Sequence, residues 1–296
     1  MATVQDLKRR IRSVNNTQKI TKAFELVASA RLRRAQSRIE AMRPYADRML
    51  ELMGITARAS GSVRLPLLER REQVRKVAVL PVTADRGLAG AFNAQILRRA
   101  FALERELRRD GIEVVWLVAG RKGRSTLRFR RYEVEQAWTG FSERPTYSDA
   151  QALARRAAEL YANEEVDRVV VVYNRFRSAL NQEVTVQDLL PLPEKLVEGE
   201  EEDARASALR GDFIYEPEPE QILERLLPVY VETELYRALL ESAASEQGAR
   251  MTAMRNASSN AGELIGNLTL AMNRARQAEI TQEILEVVAG ADALTG

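Results

Sequence analysis

The sequence has no cysteine and no histidine among its 296 residues. The lack of cysteine excludes disulfides, thiolate metal sites and thiol redox switches. The lack of histidine removes the commonest general base and metal ligand. No run of eighteen apolar residues occurs, so no membrane span is expected, and the basic start lacks the apolar core of a signal peptide. These absences argue against most enzymes, and we predict no catalytic residue, cofactor or metal site.

Two long helices, one at each end of the chain, are predicted from heptad spacing. The first runs from about residue 3 to 56 with Pro44 inside it, and the second from about 217 to 289. Apolar residues at alternating steps of three and four indicate a coiled-coil seam. The N-terminal seam consists of Val4, Leu7, Ile11, Val14, Gln18, Thr21, Glu25, Ala28, Leu32, Ala35, Ile39 and Met42. The C-terminal seam, rich in alanine, consists of Met254, Ala257, Ala261, Leu264, Leu268, Ala271, Ala275, Ala278, Gln282, Leu285 and Ala289.

The N-terminal seam becomes polar in its middle, at Gln18, Thr21 and Glu25. Polar residues at seam positions cost stability and commonly set register or face a partner. We expect the apolar face to move there to the residues that lie next to the seam, Ile20, Phe24 and Val27.

The middle of the chain changes from helical to alternating βα periodicity. Apolar, β-branched runs at residues 76–82, 112–119 and 168–173 predict strands, and 183–189 predicts an edge strand. Helical patterns at 93–109 and 147–163 lie between them. The predicted fold class is α/β, with a long antiparallel coiled coil and a small Rossmann-like, mainly parallel sheet. The predicted domains are 1–60, 75–193, an acidic loop with a possible last strand at 194–216, and 217–296.

Two functional alternatives come from charge and from one loop. Residues 1–60 carry thirteen Lys/Arg against five Asp/Glu, which fits either a solvated helix or a nucleic-acid-binding coiled coil. Residues 83–93 (TADRGLAGAFN) follow a strand, where phosphate-binding loops lie, but match neither nucleotide fingerprint. Asp85 and Arg86 could do chemistry there, or cap the helix and pair with each other. Residues 119–123 (AGRKG) are predicted to form a basic turn.

Several motifs, in order along nearly the whole chain, resemble the γ subunit of F-type ATP synthases. They are TQKITK at 17–22, ADRGLAGAFN at 84–93, NRFRSA at 174–179, SEQGARMTAM at 245–254 and RQAEITQEILEVVAGADAL at 276–294. The resemblance is to the bacterial type, since the cysteine-bearing chloroplast insert is absent. Phe24 stands where methionine is common, and Ala89 where cysteine is common. Gly248 lies in a helix that is alanine-rich in the family, and an interior glycine costs roughly 1 kcal/mol against alanine.

The resemblance implies a non-catalytic central-stalk rotor that couples ion-driven rotation of a membrane ring to conformational change at catalytic β subunits. It implies three α and three β subunits, an ε subunit and a membrane c-ring as partners, with no nucleic acid and no small-molecule substrate of its own. It also implies a peripheral location on the cytoplasmic side of the cell membrane. The implied subunit-coupling residues are Thr17, Gln18, Lys19, Lys22, Arg276, Gln277, Thr281 and Glu283. The implied apolar bearing tip consists of Leu285, Val287, Val288 and Leu294.

An alternative interpretation of the coupling residues is purely structural. Arg276 could pair within its helix with Glu279 or Glu283, because spacings of three and seven place these residues on one side.

Overall fold

A computed structural model describes residues 3–60, 65–192 and 216–295. The predicted strand at 212–215, nearly all of the predicted acidic loop and the side chain of Leu294 lie outside the described residues. The chain divides into two compact units. The coiled-coil unit comprises residues 1–28 and 251–296, and the α/β unit comprises residues 29–250.

The elements follow the predicted order, with one helix and one strand added. They are α1 Val4–Ser60, β1 Lys76–Pro81, α2 Phe92–Arg109, β2 Glu113–Ala119, α3 Arg121–Phe129, β3 Gln136–Trp138, α4 Tyr147–Ala162, β4 Arg168–Phe176, β5 Gln182–Leu190 and α5 Pro219–Thr295. The predicted basic turn at residues 119–123 is wrong, because α3 begins there. No helix in the described ranges is both long and apolar enough to cross a membrane.

In the coiled-coil unit, α1 and α5 run antiparallel. The Gln18 side chain bonds the backbone of Ser258, while Glu25, further along α1, bonds Arg255, which lies earlier on α5. The predicted α1 seam is confirmed, since none of its eight positions in this unit and none of its four positions in the α/β unit, from Leu32 to Met42, is exposed. The predicted move of the apolar face is wrong, because Ile20, Phe24 and Val27 are 55%, 45% and 47% exposed. The polar residues stay in the seam because they bond to one another or to α5.

The α5 seam has a different register from the predicted one. Every seventh position agrees, and Met254, Ala261, Leu268 and Ala275 are all at least partly buried. Between them Ala257 is partly buried as predicted, as is Ser258 beside it. Further along, the partly buried positions lie one residue later than predicted, at Ile265 and Met272, whereas Leu264 and Ala271 are exposed. Apolar residues occupy both offsets in the sequence, so packing against α1 decides the register.

The predicted seam also continues too far. Every residue from 276 to 290 is exposed, including Ala278, Gln282, Leu285 and Ala289. Residues 276–290, about 22 Å of helix, therefore have no partner helix among the described residues.

The α/β unit contains a five-stranded sheet in the order β3-β2-β1-β4-β5. β1, β2, β3 and β4 are parallel, and β5 pairs antiparallel with β4 at the predicted edge. One face of the sheet packs on α4 and on parts of α1 and α5, with Met53, Leu153 and Leu223 in its core. The other face packs on α2 and α3, with Ile96, Trp116 and Leu127 in its core.

Candidate coupling surfaces

A charged layer interrupts the coiled-coil seam. The side chain of Glu25 is 9% exposed, and its two carboxylate oxygens lie 3.0 Å from Lys22 Nζ and 3.0 Å from Arg255 Nε. The hydrogen bonds from Lys22 and Arg255 hold the pKa of Glu25 below its ordinary value, although burial acts in the opposite direction. A buried carboxylate needs such partners, because an unpaired charge in a seam is costly. Lys22, a predicted coupling residue, is therefore exposed but engaged in an ion pair.

The other predicted coupling residues of α1 differ in their surroundings. Gln18 is half-buried, and its Nε2 donates to the carbonyl of Ser258 on α5 at 3.3 Å. Gly262 makes room for this amide, since a Cβ there would lie 3.0 Å from Gln18 Nε2. Thr17 is exposed and donates to Ser13 O at 3.2 Å, and Lys19 is exposed. Gln18 thus holds the two helices together, while Thr17 and Lys19 face outward.

All four predicted coupling residues of α5 are exposed. Thr281 Oγ1 donates to the backbone carbonyl of Gln277 at 2.9 Å, so this bond does not involve the side-chain amide of Gln277. Within the described ranges Arg276 forms no ion pair with Glu279 or Glu283, so the structural alternative for Arg276 is not realised. Helical spacing places Arg276 and Glu283 in one stripe, and Gln277 and Thr281 in the neighbouring stripe. Two polar stripes therefore face outward on this part of α5.

The three described residues of the predicted bearing tip are also exposed. Leu285, Val287 and Val288 are 64%, 73% and 50% exposed, and Ile280 and Ile284 add to the same apolar surface. Exposed apolar patches of this kind commonly mark interaction sites.

An apolar stripe on α1 was not predicted as a surface. Ile20, Phe24 and Val27 lie at steps of four and three, so they share one side of the helix, and all three are exposed. The signal was present in the sequence, but the stripe was interpreted as part of the seam. It lies beside the charged layer of Lys22 and Glu25.

The loop at residues 83–93 has a structural role. Asp85 accepts backbone N–H bonds from Arg121 at 3.0 Å, Gly140 at 2.8 Å and Ser142 at 3.0 Å. Burial raises the pKa of Asp85, but these donors outweigh it and lower the pKa overall. Arg86 lies 3.8 Å from Glu143 rather than pairing with Asp85. The carboxylate is thus used to join three loops, and among the described residues no cluster of acidic side chains could hold a metal ion.

The comparisons with known proteins agree with the sequence motifs. A family model described as ATP synthase matches residues 3–294. The ATP synthase gamma chain of Rubrobacter xylanophilus is 47% identical over 294 residues, covering 99% of both chains. That of Moorella thermoacetica is 47% identical, covering 99% of this chain and all of the relative. The chain belongs to the ATP synthase gamma chain family.

Chains of solved mitochondrial ATP synthases share the fold. The central stalk of the Tetrahymena thermophila mitochondrial ATP synthase is 28% identical, with a TM-score of 0.59 over 81% of this chain and 99% of that one. A chain of the Euglena gracilis mitochondrial enzyme is 19% identical with a TM-score of 0.69, over 98% of this chain and 94% of that one. The expected fold and the resemblance to gamma subunits are therefore confirmed. A gamma chain is a non-catalytic subunit, and these relatives give no support to the nucleic-acid alternative.

Proposed function

We propose that this gamma chain turns inside a catalytic head and passes torque to it through the coiled-coil unit. The observation that carries the proposal is the end of α5, where every residue from 276 to 290 is exposed on a helix that has no described partner. A helix that presents both polar stripes and an apolar surface is suited to being enclosed by other subunits. The proposed partners are three α and three β subunits around the coiled coil, with ε and a membrane c-ring elsewhere on the chain.

Torque requires contacts that differ between rotor angles, because equal contacts at all angles shift no equilibrium. The coiled-coil unit is asymmetric in this sense. The apolar stripe Ile20, Phe24 and Val27 lies on α1, whereas the polar stripes lie on α5. Each stripe lies on one side only, so a β subunit that faces the stripe meets a different chemistry from a β subunit at the same level on the other side. This difference in contact energy is the proposed means by which rotation opens and closes the catalytic sites.

The individual roles follow from exposure and pairing. Arg276, Gln277, Thr281 and Glu283 are proposed to bind β subunits in some orientations and release them in others, with Thr17, Lys19 and Lys22 acting from α1. Gln18 contributes through its bond to the Ser258 carbonyl, which holds the helices in register. Leu285, Val287, Val288 and Leu294 are proposed as a bearing, because apolar contacts are non-directional and resist rotation little.

The proposed location is the cytoplasmic side of the cell membrane, as a peripheral protein. Attachment through a c-ring would hold the chain there, since no described helix can span a bilayer.

The test is co-expression with the α and β subunits of the same organism, followed by native mass, ATP hydrolysis and ATP synthesis. We expect one copy of this chain per particle with three of each partner. Arg276→Ala should lower coupled ATP synthesis by about tenfold or more, since a charge-assisted bond contributes about 1.5–3 kcal/mol. The control is Arg274→Ala, which removes an equally exposed arginine two residues away.

Failure to assemble would argue against the function itself. Normal coupling by the Arg276 variant in an intact particle would instead argue against the role of this residue alone.

A further inference from the structure

The segment around α3 is strongly basic. Residues 121–131 (RKGRSTLRFRR) contain six Lys/Arg and no acidic residue. From 92 to 133 the chain has eleven Lys/Arg against five Asp/Glu. The proposed function uses none of these cations.

The C-terminal end of α3 lies against the second half of α2. The guanidinium of Arg130 lies 4.4 Å from the centre of the Phe101 ring, and Tyr132 stacks on the same ring at 5.5 Å. Tyr132 also contacts Trp116 edge-on at 5.5 Å. These aromatic contacts hold the end of α3 on α2.

The exposed surface formed by Arg105, Arg108, Arg109, Arg128, Phe129, Arg130 and Arg131 is called the basic end below.

The acidic residues nearby leave most of this charge uncompensated. Glu104 is buried and lies 2.6 Å from Arg108, and Glu106 lies 3.0 Å from Arg99. Asp110 and Glu133 are exposed at the margin. Among the described residues no ion pair involves Arg128 or Arg131. Cations at helix C-termini complement the helix dipole, and that effect accounts for part of the pattern.

The helix dipole does not account for Phe129. Its side chain is 88% exposed, the highest value among the large exposed hydrophobic residues. It stands between Arg128 and Arg130, so an apolar ring projects from a cationic surface. Covering this ring with another surface would remove its apolar area from water, which is favourable.

We propose that the basic end docks on an anionic phospholipid surface, with the arginines on the phosphates and Phe129 among the headgroups. Charge complementarity and the projecting ring both favour a lipid partner, since interfacial binding combines Lys/Arg with aromatic side chains. A soft interface deforms around a single convex ring, whereas a protein partner would need a matching pocket. Single-stranded nucleic acid is less suited, because its bases stack on successive aromatic residues and only Phe129 projects here. The inference rests on the proposed function only in placing the chain beside a membrane.

The test is binding of the full chain to phosphatidylcholine vesicles with and without about 30% phosphatidylglycerol, measured by co-flotation. Binding should require the anionic lipid and weaken as salt increases. Arg128→Gln with Arg131→Gln should weaken it about 25-fold, at about fivefold per cation. Phe129→Ala should weaken it about tenfold. Arg130 is kept, because it stacks on Phe101.

Two matched controls separate this surface from general basicity. Arg33→Gln with Arg34→Gln removes the same charge from exposed positions on α1, and Leu180→Ala removes a side chain that is 74% exposed. Both controls should bind as the unchanged chain does. Equal losses in controls and test variants, or equal binding to both vesicle types, would overturn the proposal. So would variants that lose binding to a single-stranded oligonucleotide while keeping vesicle binding.

The same variants also separate this inference from the proposed function. Arg128→Gln with Arg131→Gln should still assemble with α and β subunits and hydrolyse ATP. Loss of vesicle binding with normal assembly supports the lipid surface, whereas failed assembly by the unchanged chain would count against the rotor function alone.

Discussion

Gly248 offers a direct test of how α5 packs on the sheet. The helix lies against the β4–β5 connection, and a Cβ at Gly248 would be 3.0 Å from Ala179 O and 3.2 Å from Gln182 Nε2. Gln182 Nε2 itself donates to Ala179 O at 2.9 Å, so neither atom can easily move aside. Close packing therefore explains the glycine at position 248, and the sequence alone did not show it.

The change Gly248→Ala sets two effects against each other. Helix propensity favours alanine by about 1 kcal/mol. Overpacking against a backbone carbonyl costs about 1–3 kcal/mol. We expect the second effect to be larger, with a net loss of about 1 kcal/mol in the free energy of unfolding.

The control is Gly266→Ala on the same helix, where a Cβ would meet nothing within 4 Å. It should stabilise the chain by about 1 kcal/mol through propensity alone. Urea unfolding of the full chain, followed by circular dichroism, measures both variants. If Gly248→Ala stabilised the chain as much as the control does, close packing at Gly248 would be refuted.

Two further predictions concern the coiled-coil unit. Because Lys22 and Arg255 lower the pKa of Glu25, its contribution to stability should be fully present above about pH 4.5 and lost as pH falls through the lowered pKa. Glu25→Gln should cost about 1 kcal/mol at pH 7 and flatten this part of the pH–stability curve, measured by urea unfolding; an unchanged curve would contradict the pairing. Phe24→Ala should leave stability within about 0.5 kcal/mol but weaken coupled ATP synthesis in the assembled particle. Its control is Leu26→Ala, exposed on the opposite side of α1, and equal effects of the two would contradict a specific role for the apolar stripe.

The sequence predicted the long helices well because heptad spacing is a local signal. All twelve α1 seam positions from Val4 to Met42 are at least partly buried. On α5 the same method was right at Ala257 but failed at Leu264 and Ala271. Leu264 and its neighbour Ile265 are equally apolar candidates for the seam. Only contact with α1 selects between them, and that contact joins residues more than two hundred positions apart.

Short elements were missed for a different reason. α3 has nine residues, of which only Gly123 and Leu127 are buried, so its apolar periodicity is too weak to indicate a helix. β3 has three residues and no alternating pattern of its own. The role of Asp85 could not be predicted either, because its three backbone donors come from two segments distant in sequence.

The coupling surfaces were likewise predicted from the sequence only in part. The motifs indicated Arg276 and Gln277 as coupling residues. The structure adds that, within the described ranges, Arg276 forms no ion pair with Glu279 or Glu283. The apolar stripe at Ile20, Phe24 and Val27 became visible only when the seam was found to remain polar. A buried polar seam and an exposed apolar stripe on the same part of α1 both lower the stability of the chain. Such a cost is typical of a surface that binds a partner.

The end of α5 makes the strongest physical case for enclosure. In proteins most of the stability of a helix comes from packing of its apolar face rather than from intrinsic propensity. The end of α5 carries Gly290 and the β-branched pair Val287 and Val288, which lower its helix propensity. With no described helix packed against it, any packing that stabilises this end of the helix has to come from another surface. The proposed catalytic head supplies such a surface, so the same apolar side chains that serve as a bearing would also hold the end of the rotor in shape.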